Sequence, residues 1–352
     1  MKIIHFSCTH FEEYGGVPAV LFDLVNHQNK IYNLSSIIFT LNKEIPSRFS
    51  NIMKSYSNYK ELFKSILDFS PDFVVFHTVY HTEYIKVSRF LINKNIKYYI
   101  EPHSSFMVKA QEKSKLKKKI ANKFFFKRFI SGSTGSIYLN YNEKINSIYS
   151  SINDLIIPNG INMPTIYNKN KGLNFYYIGR YDINHKGLDI LFDALELIDN
   201  RGLKFEITLW GVDDGFGYSY LKNRIVNFST VKVHLNGPIF GNDKVEIISK
   251  NFHILVLTSR YEGFPMSILE AWSYGCKCVV TPETNVADVV LDNDLGWVVS
   301  LDAESISTKL IELFSNQNNI KINSNKIKHY VYQNYSWEKI AALSSDLLNS
   351  NK

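Results

Sequence analysis

The chain has 352 residues, 45% of them hydrophobic, which is long enough for two globular domains with buried cores. Its 40 Lys and Arg residues exceed its 33 Asp and Glu residues, and the net charge of +7 favours anionic partners. Three cysteines without a C-x-x-C pair argue against a disulfide-stapled secreted protein. No signal-peptide core and no apolar run of about 18 residues is present, so we expect a cytoplasmic protein, with attachment to a membrane surface left open.

The first half of the chain alternates short apolar runs with helical patterns. Strands are predicted at residues 2–7, 34–40, 73–77, 96–101, 137–139 and 155–157, and the mixed stretch at 49–69 is predicted to be helical. Gly15 and Gly16 follow the first strand and precede a predicted helix, where glycine lets backbone approach a ligand closely. The alternation predicts a parallel sheet, in which ligands bind at the carboxyl ends of the strands. His77 and His103 both fall at such ends, and an isolated histidine there is by default structural.

Residues 109–128 are strongly basic, with nine Lys or Arg residues opposed only by Glu112. Phe124, Phe125 and Phe126 lie near the end of the stretch. This composition suits an anionic membrane surface, but also nucleic acid or a solvated face. No nucleic-acid-binding motif accompanies it.

A second series of strands begins near residue 175. Gly179 and Arg180 end its first strand, and Lys186 precedes an amphipathic helix. Arginine suits forked recognition of a phosphate, and lysine acts as a point charge. The alternative is that both are ordinary surface cations.

The most informative stretch is residues 251–280, which reads as strand, loop, helix, turn and strand. Gly263 and Phe264 lie in the loop, Pro265 opens the predicted helix, and the N–H groups of Met266 and Ser267 at its start suit an anion such as a diphosphate. Two carboxylates lie on either side of this helix start, at Glu262 and Glu270. Carboxylates accept hydrogen bonds from sugar hydroxyls, and a diphosphate flanked by two hydroxylated rings is a nucleotide sugar. The competing interpretation is a core helix with two solvated glutamates.

Five motifs in order along the chain resemble those of family-4 retaining glycosyltransferases, among the glycosyl transferases group 1. They are the GGV loop, the Pro-His pair ending at His103, the PNGIN segment at residues 158–162, the GR–KG pair and the E-x7-E spacing of Glu262 and Glu270. Asn162 departs from the aspartate usual in that family. The resemblance implies an α/β protein of GT-B fold, with two Rossmann-like parallel-sheet domains facing across a cleft and a C-terminal helix crossing back to the first. We place the domains at residues 1–165 and 172–330 and the crossover helix at 331–352.

The resemblance also implies an activity. It is the transfer of a hexosyl group, with retention, from a UDP- or GDP-linked sugar to a glycan or lipid-linked acceptor. We expect a role in bacterial surface polysaccharide synthesis (lipopolysaccharide O-antigen, capsule or exopolysaccharide), with residues 109–128 on the inner membrane surface and no nucleic acid as partner. No cofactor or metal is expected, because the D-x-D at residues 292–294 lies in a predicted turn without phosphate-binding surroundings.

Roles for individual residues follow from the same resemblance. Arg180 and Lys186 would clamp the donor diphosphate, Glu270 would hold the ribose, and Glu262 and His103 would position the donor sugar. His77 is a lesser candidate. The remaining donor-binding candidates are Gly15, Gly16, Gly179, Gly263, Phe264, Met266 and Ser267.

Three alternatives differ in their chemistry. A GT-B nucleotide-sugar epimerase would act without an acceptor. A non-catalytic nucleotide-sugar-binding protein at the membrane would bind a donor and never turn it over. A dehydrogenase is disfavoured because the G-x-G-x-x-G fingerprint is absent.

Overall fold

The computed structural model describes residues 1–10, 16–164, 173–213, 215–320 and 322–351. The chain forms two compact units. Unit 1 comprises Met1–Gly160 and Tyr335–Lys352, and unit 2 comprises Ile161–Asn334.

Unit 1 is built on a seven-stranded sheet in which every strand pair is parallel, with the order β3-β2-β1-β4-β5-β6-β7. Its strands are β1 (Lys2–Phe6), β2 (Ser35–Thr40), β3 (Met53–Ser55), β4 (Phe73–His77), β5 (Lys97–Glu101), β6 (Gly135–Tyr138) and β7 (Leu155–Ile156). Every residue of β4 is buried, as is typical of a central parallel strand covered on both faces. The strand order reverses between β1 and β4, so the ends of β1, β4 and β5 lie side by side.

Over the part of unit 1 that the structure describes, seven α-helices accompany this sheet before the chain enters unit 2. They are α1 (Gly16–Gln28), α2 (Tyr59–Phe69), α3 (Thr82–Asn93), α4 (Val108–Glu112), α5 (Lys115–Ile120), α6 (Lys127–Ser131) and α7 (Tyr141–Ile145). The start of α2 is set by Asn58, whose side chain accepts a hydrogen bond from the Glu61 backbone N–H at 3.0 Å.

Unit 2 contains a six-stranded sheet, again with only parallel pairs, in the order β10-β9-β8-β11-β12-β13. Its strands are β8 (Phe175–Ile178), β9 (Glu206–Trp210), β10 (Lys232–Asn236), β11 (Ile254–Leu257), β12 (Lys277–Val280) and β13 (Gly296–Val298). Its helices are α8 (Leu188–Asn200), α9 (Gly217–Ile225), α10 (Gly241–Asn251), α11 (Met266–Ser273), α12 (Ala287–Asp292), α13 (Ala303–Ser315) and α14 (Ser324–Tyr335). The strand order reverses between β8 and β11, which is where ligands bind in open parallel sheets.

The chain returns to unit 1 in α15 (Trp337–Asn349), which packs on α1. Trp337 is buried against Gly160, where an added Cβ would lie 2.4 Å from the indole ring. The close approach explains the glycine of the PNGIN segment. The two parallel sheets and the returning helix confirm the predicted fold class.

Two local predictions were wrong. The stretch at 49–69, expected to be helical, contains the short edge strand β3 before α2 begins. Pro265 is the residue before α11 rather than its first helical residue.

The basic stretch is a series of short helices rather than one. Ser114, with φ of 61°, separates α4 from α5, and a π-helical turn at Ala121–Phe125 separates α5 from α6. That turn leaves Phe124 and Phe125 exposed while Phe126 is buried in the core of unit 1. Across the described residues, every helix is too short or too polar to pass through a bilayer.

Candidate active site

Two loops at the reversal point of unit 2 carry the predicted donor-binding residues. The β8 loop (residues 179–187) follows β8, and the β11 loop (residues 258–265) follows the neighbouring strand β11. The Arg260 backbone N–H donates to the His185 carbonyl at 2.9 Å, and the Thr258 hydroxyl donates to the Gly187 carbonyl at 3.1 Å. These bonds fix one loop against the other.

Gly187 is required by this loop contact. Its φ is +62°, in the left-handed region, and a Cβ at this position would lie 2.1 Å from the Thr258 carbonyl oxygen. Both conditions exclude a larger residue. The glycine thus allows the chain to turn into α8 immediately after Lys186.

Lys186 and Glu262 form a nearly buried ion pair across the two loops. The Lys186 Nζ lies 2.5 Å from Glu262 Oε1, and the Ser259 hydroxyl donates to the same oxygen at 2.7 Å. Burial alone would raise the pKa of Glu262, but the charge of Lys186 and the hydrogen bonds from Lys186 and Ser259 outweigh it and lower that pKa. Glu262 is therefore an ionised carboxylate at neutral pH.

The backbone of Glu262 is held by the segment that follows β12. The Asn285 amide donates to the Glu262 carbonyl at 2.6 Å, and the Glu262 N–H donates to the Glu283 carbonyl at 3.1 Å. The position of this carboxylate is thus fixed by three separate segments of unit 2.

His185 is a site residue that the sequence analysis missed. Its Nε2 donates to the Tyr261 carbonyl at 2.9 Å, and its ring stacks on the Tyr261 ring at a centroid distance of 4.1 Å. Because Nε2 is the donor, Nδ1 accepts from the Arg180 guanidinium, 3.3 Å away. Burial lowers the pKa of His185, so a neutral ring orients Arg180. The available signal was its place between the two predicted cations, in GRYDINHKG.

Glu270 lies in α11 and pairs with a different lysine from the one that pairs with Glu262. Its Oε1 accepts a hydrogen bond from the Lys244 Nζ of α10 at 2.6 Å. Met266 and Ser267 form the first turn of the same helix, whose N–H groups have no partner within the helix. The two glutamates of the E-x7-E spacing thus have different lysine partners.

The remaining predicted donor-binding residues of unit 2 lie in the same two loops. Gly179 follows β8, and an added Cβ there would lie 2.7 Å from the Tyr177 hydroxyl. Phe264 is buried beside Gly263, immediately before α11. The structure brings these residues together with Arg180 at the ends of β8 and β11.

The other predicted residues belong to unit 1. Gly16 is the exposed first residue of α1, with φ of +57°, and Gly15 lies outside the described residues. His103 follows β5 with a left-handed φ of +46°, unusual for a residue with a side chain. His77, the lesser candidate, is in contact with it, since its Nδ1 lies 3.1 Å from the Nε2 of His103.

Glu101 lies beside these two histidines. One of its oxygens is 3.4 Å from His77 Nδ1 and the other is 3.4 Å from His103 Nε2. Burial raises the pKa of Glu101 to about 8. Within the described residues, these three side chains form the one group of His, Cys, Asp and Glu ligand atoms close enough to hold a metal ion, all within 4.8 Å. Two imidazoles and a carboxylate are a donor set that suits zinc.

Comparison with known proteins agrees with this architecture. Residues 172–316 match the family described as Glycosyl transferases group 1. An uncharacterized glycosyltransferase of Methanocaldococcus jannaschii is 27% identical over 227 residues, which are 64% of this chain and 62% of that protein. A second uncharacterized glycosyltransferase of that organism is 21% identical over 90% of this chain and 83% of its own length. The matched part therefore covers less than two thirds of the first relative.

Solved structures match along the whole chain. The apo form of the lipopolysaccharide outer core galactosyltransferase WaaB superposes with a TM-score of 0.72 at 16% identity, covering 100% of both chains. Anabaena HepE in complex with UDP superposes with a TM-score of 0.71 at 14% identity, covering 99% of this chain and 100% of that one. The chain has the GT-B fold, and over residues 172–316 it is similar to the group 1 glycosyltransferases.

Proposed function

We propose that this protein is a retaining glycosyltransferase that moves a hexosyl group from a UDP- or GDP-linked sugar. The observation that carries the proposal is the arrangement at the reversal point of unit 2, where Lys186 pairs directly with Glu262 and the neighbouring His185 orients Arg180. Two cations and an ionised carboxylate, beside the first turn of α11, are the groups needed to bind a diphosphate and a sugar at one place.

The proposed chemistry is mainly electrostatic. When the bond from the anomeric carbon to the donor phosphate breaks, negative charge develops on the departing β-phosphate. Arg180, Lys186 and the N–H groups at the start of α11 stabilise that charge. The acceptor hydroxyl attacks from the same face, and the departing phosphate takes its proton, which retains the anomeric configuration without a covalent enzyme intermediate.

Other residues orient the donor in this proposal. Glu270 accepts hydrogen bonds from the ribose hydroxyls, while Glu262 and His103 position the transferred sugar. Arg180 and Lys186 supply the positive charge that a metal ion supplies in other enzymes, so we propose a metal-independent reaction with no cofactor.

The acceptor is proposed to be a glycan or lipid-linked saccharide at the cytoplasmic face of the membrane. Leu116, Phe124 and Phe125 are exposed among the lysines of the basic stretch, at 72%, 69% and 59% of their full accessibility. Apolar side chains within a cationic surface suit an anionic bilayer. The names of WaaB and of the UDP complex of HepE support a UDP-sugar donor and a role in surface polysaccharide synthesis.

The test is release of nucleoside diphosphate from a panel of UDP- and GDP-sugars, with and without a bacterial membrane extract as the source of acceptor. We expect acceptor-dependent release from one donor, which Arg180→Ala and Lys186→Ala each abolish. Acceptor-independent release would favour the epimerase. Donor binding without release under any condition would favour the non-catalytic binding protein.

A further inference from the structure

A continuous chain of hydrogen bonds runs through the interior of unit 1 and ends at His103. It begins at Ser344 of α15, passes through Gln28 at the end of α1 and His5 of β1, and reaches His77 at the end of β4. The successive distances are 3.0 Å from Gln28 Nε2 to Ser344 Oγ, 2.9 Å from His5 Nε2 to Gln28 Oε1, 2.9 Å from His5 Nδ1 to His77 Nε2, and 3.1 Å from His77 Nδ1 to His103 Nε2. The four residues before His103 are all at most 2% exposed.

The direction of every bond follows from the Ser344 end. The Ser344 hydroxyl donates to the Ala341 carbonyl at 2.8 Å, so its oxygen accepts from the Gln28 amide nitrogen. The Gln28 amide oxygen is then the acceptor for His5 Nε2–H. The orientation of one amide therefore sets the tautomer of His5.

The same reasoning passes from His5 to His103. A neutral imidazole has one N–H, so His5 Nδ1 accepts from His77 Nε2–H, and His77 Nδ1 accepts from His103 Nε2–H. Burial keeps the rings neutral, because it lowers the pKa of His5 and that of His103 to about 4. The lone pair of His103 is thereby assigned to Nδ1, the nitrogen outside the chain.

The backbone at His103 is held by a separate buried group. His103 and Ser104 both have left-handed φ values, of +46° and +64°. The Glu143 carboxyl group accepts from the Ser104 N–H at 2.6 Å and from the Leu139 N–H at 2.7 Å. Unfavourable backbone angles that persist under such support are typical of functional sites. The ring of His103 is thus fixed from its backbone and from its Nε2.

We propose that Ser344, Gln28, His5 and His77 are positioning residues that hold His103 in the Nε2-protonated tautomer, with Nδ1 presented as the acceptor for a hydroxyl of the transferred sugar. The assignment of that hydroxyl rests on the proposed function, whereas the tautomer does not. Glu101 flanks the last bond, and a metal ion held by His77, Glu101 and His103 would need the opposite state, with His103 Nε2 unprotonated.

The deciding measurement is a long-range proton–nitrogen NMR spectrum of the full chain with nitrogen-15-labelled histidine at neutral pH, with His103 assigned through His103→Asn. The expected signature is a neutral ring with a proton on Nε2. A ring protonated on Nδ1 only, or an imidazolium, would overturn the proposal. Binding of one equivalent of zinc, added as zinc chloride, to wild type but not to His77→Asn would also overturn the proposal.

Variants test whether the chain sets this state. His5→Leu cuts it, and Gln28→Met cuts it at the next bond if the first variant does not fold. We expect either to shift the His103 tautomer and to raise the KM for the donor by roughly tenfold, with kcat nearly unchanged, since a contact to a non-reacting hydroxyl acts equally in the ground and transition states.

Tyr98→Phe is the matched control, because it removes one buried hydrogen bond of unit 1 outside the chain, from Tyr98 to the Phe129 carbonyl at 2.6 Å. Equal effects of Tyr98→Phe and His5→Leu on tautomer and KM would contradict the proposal. Absence of any donor turnover would remove the proposed function but leave the NMR result readable.

Discussion

The Nζ of Lys186 and the Oε1 of Glu262 lie 2.5 Å apart, and both side chains are nearly buried. One residue precedes α8 and the other precedes α11, so the ion pair joins the starts of two helices in unit 2. The pair that is proposed to bind the donor therefore also holds its own loops together.

Removal of one member should cost stability as well as activity. Lys186→Met leaves an uncompensated buried carboxylate, and we expect a loss of about 3–5 kcal/mol in the free energy of unfolding. Because both effects come from one interaction, the double variant Lys186→Met/Glu262→Gln should lose less than the sum of the single variants. Urea denaturation measures this cycle.

The exposed pair of Lys250 and Glu246, 2.7 Å apart on α10, provides the control. Lys250→Met should change stability by no more than about 1 kcal/mol. Additive losses in the Lys186 cycle would show that the buried pair contributes no coupling.

The loop geometry predicts a strong effect at Gly187. Gly187→Ala forces a Cβ to 2.1 Å from the Thr258 carbonyl, so the β8 and β11 loops must separate. We expect a destabilisation of more than about 3 kcal/mol, towards the high end for single substitutions, together with loss of donor binding.

Gly202→Ala is the matched control, because Gly202 has φ of +68° but no atom within 4 Å of the added Cβ. It should cost only the backbone term of about 1–2 kcal/mol. Similar thermal shifts for the two variants would refute a role for the contact with Thr258.

Glu270 should discriminate nucleotides by their ribose. If its carboxylate accepts hydrogen bonds from the ribose hydroxyls, wild type should bind UDP at least roughly tenfold more tightly than 2′,3′-dideoxy-UDP. Glu270→Ala should bind both with equal, weaker affinity, and Glu246→Ala should behave as wild type. Calorimetry gives all three ratios, with GDP and its dideoxy analogue used if the donor is GDP-linked. A preference that survives in Glu270→Ala would place the ribose elsewhere.

Glu101 predicts a specific dependence of stability on pH. Burial and the nearby Glu143 raise its pKa from 4.5 to about 8 in the folded state. Because the folded chain binds this proton more tightly than the unfolded chain, protonation of Glu101 stabilises the folded state. This contribution is fully present below pH 4.5 and is lost as the pH rises through 8. Glu101→Gln does not titrate, so its stability should improve relative to wild type between pH 5 and 8.5, by an amount on the order of a few kcal/mol. Urea denaturation at several pH values measures the difference in unfolding free energy between Glu101→Gln and wild type, with the exposed Glu44→Gln as control. A difference that does not change with pH would contradict the prediction.

The basic stretch predicts a lipid preference. The double variant Lys117→Ala/Lys119→Ala should bind phosphatidylserine vesicles roughly thirtyfold more weakly than wild type, since each lysine near an anionic surface contributes about 1 kcal/mol. Lys60→Ala/Lys64→Ala removes two exposed lysines from α2 and should bind as wild type. Sedimentation with vesicles measures both, and phosphatidylcholine alone should not bind. Equal losses in the two double variants would mean that binding responds only to net charge.

Sequence patterns predicted those features of the fold that depend on local composition. The apolar runs predicted the strands of unit 1 except β3, and their alternation with helices predicted parallel pairing, because a parallel connection needs a crossover. The spacing of Glu262 and Glu270 around a helix start was likewise readable. Their different partners, Lys186 and Lys244, were not, since they depend on which strands become neighbours.

Long-range packing also explains what was missed. His5 lies inside β1 and gives no local signal, and its bond to His77 joins residues that are 72 positions apart. The break of the basic stretch after α5 has a similar cause, because Phe126 and Phe129 are drawn into the core of unit 1 while Phe124 stays outside. Helical periodicity within the stretch does not show which of its phenylalanines pack into the core.

The most direct measurement of the central proposal follows the sugar itself. With a radiolabelled donor chosen from the panel, we expect label to enter the lipid or glycan fraction in an amount equal to the nucleoside diphosphate released, and this transfer to be lost in Glu270→Ala but kept in Glu246→Ala. Label recovered only as free monosaccharide or as an isomerised donor, or transfer unchanged in Glu270→Ala, would contradict glycosyl transfer at this site.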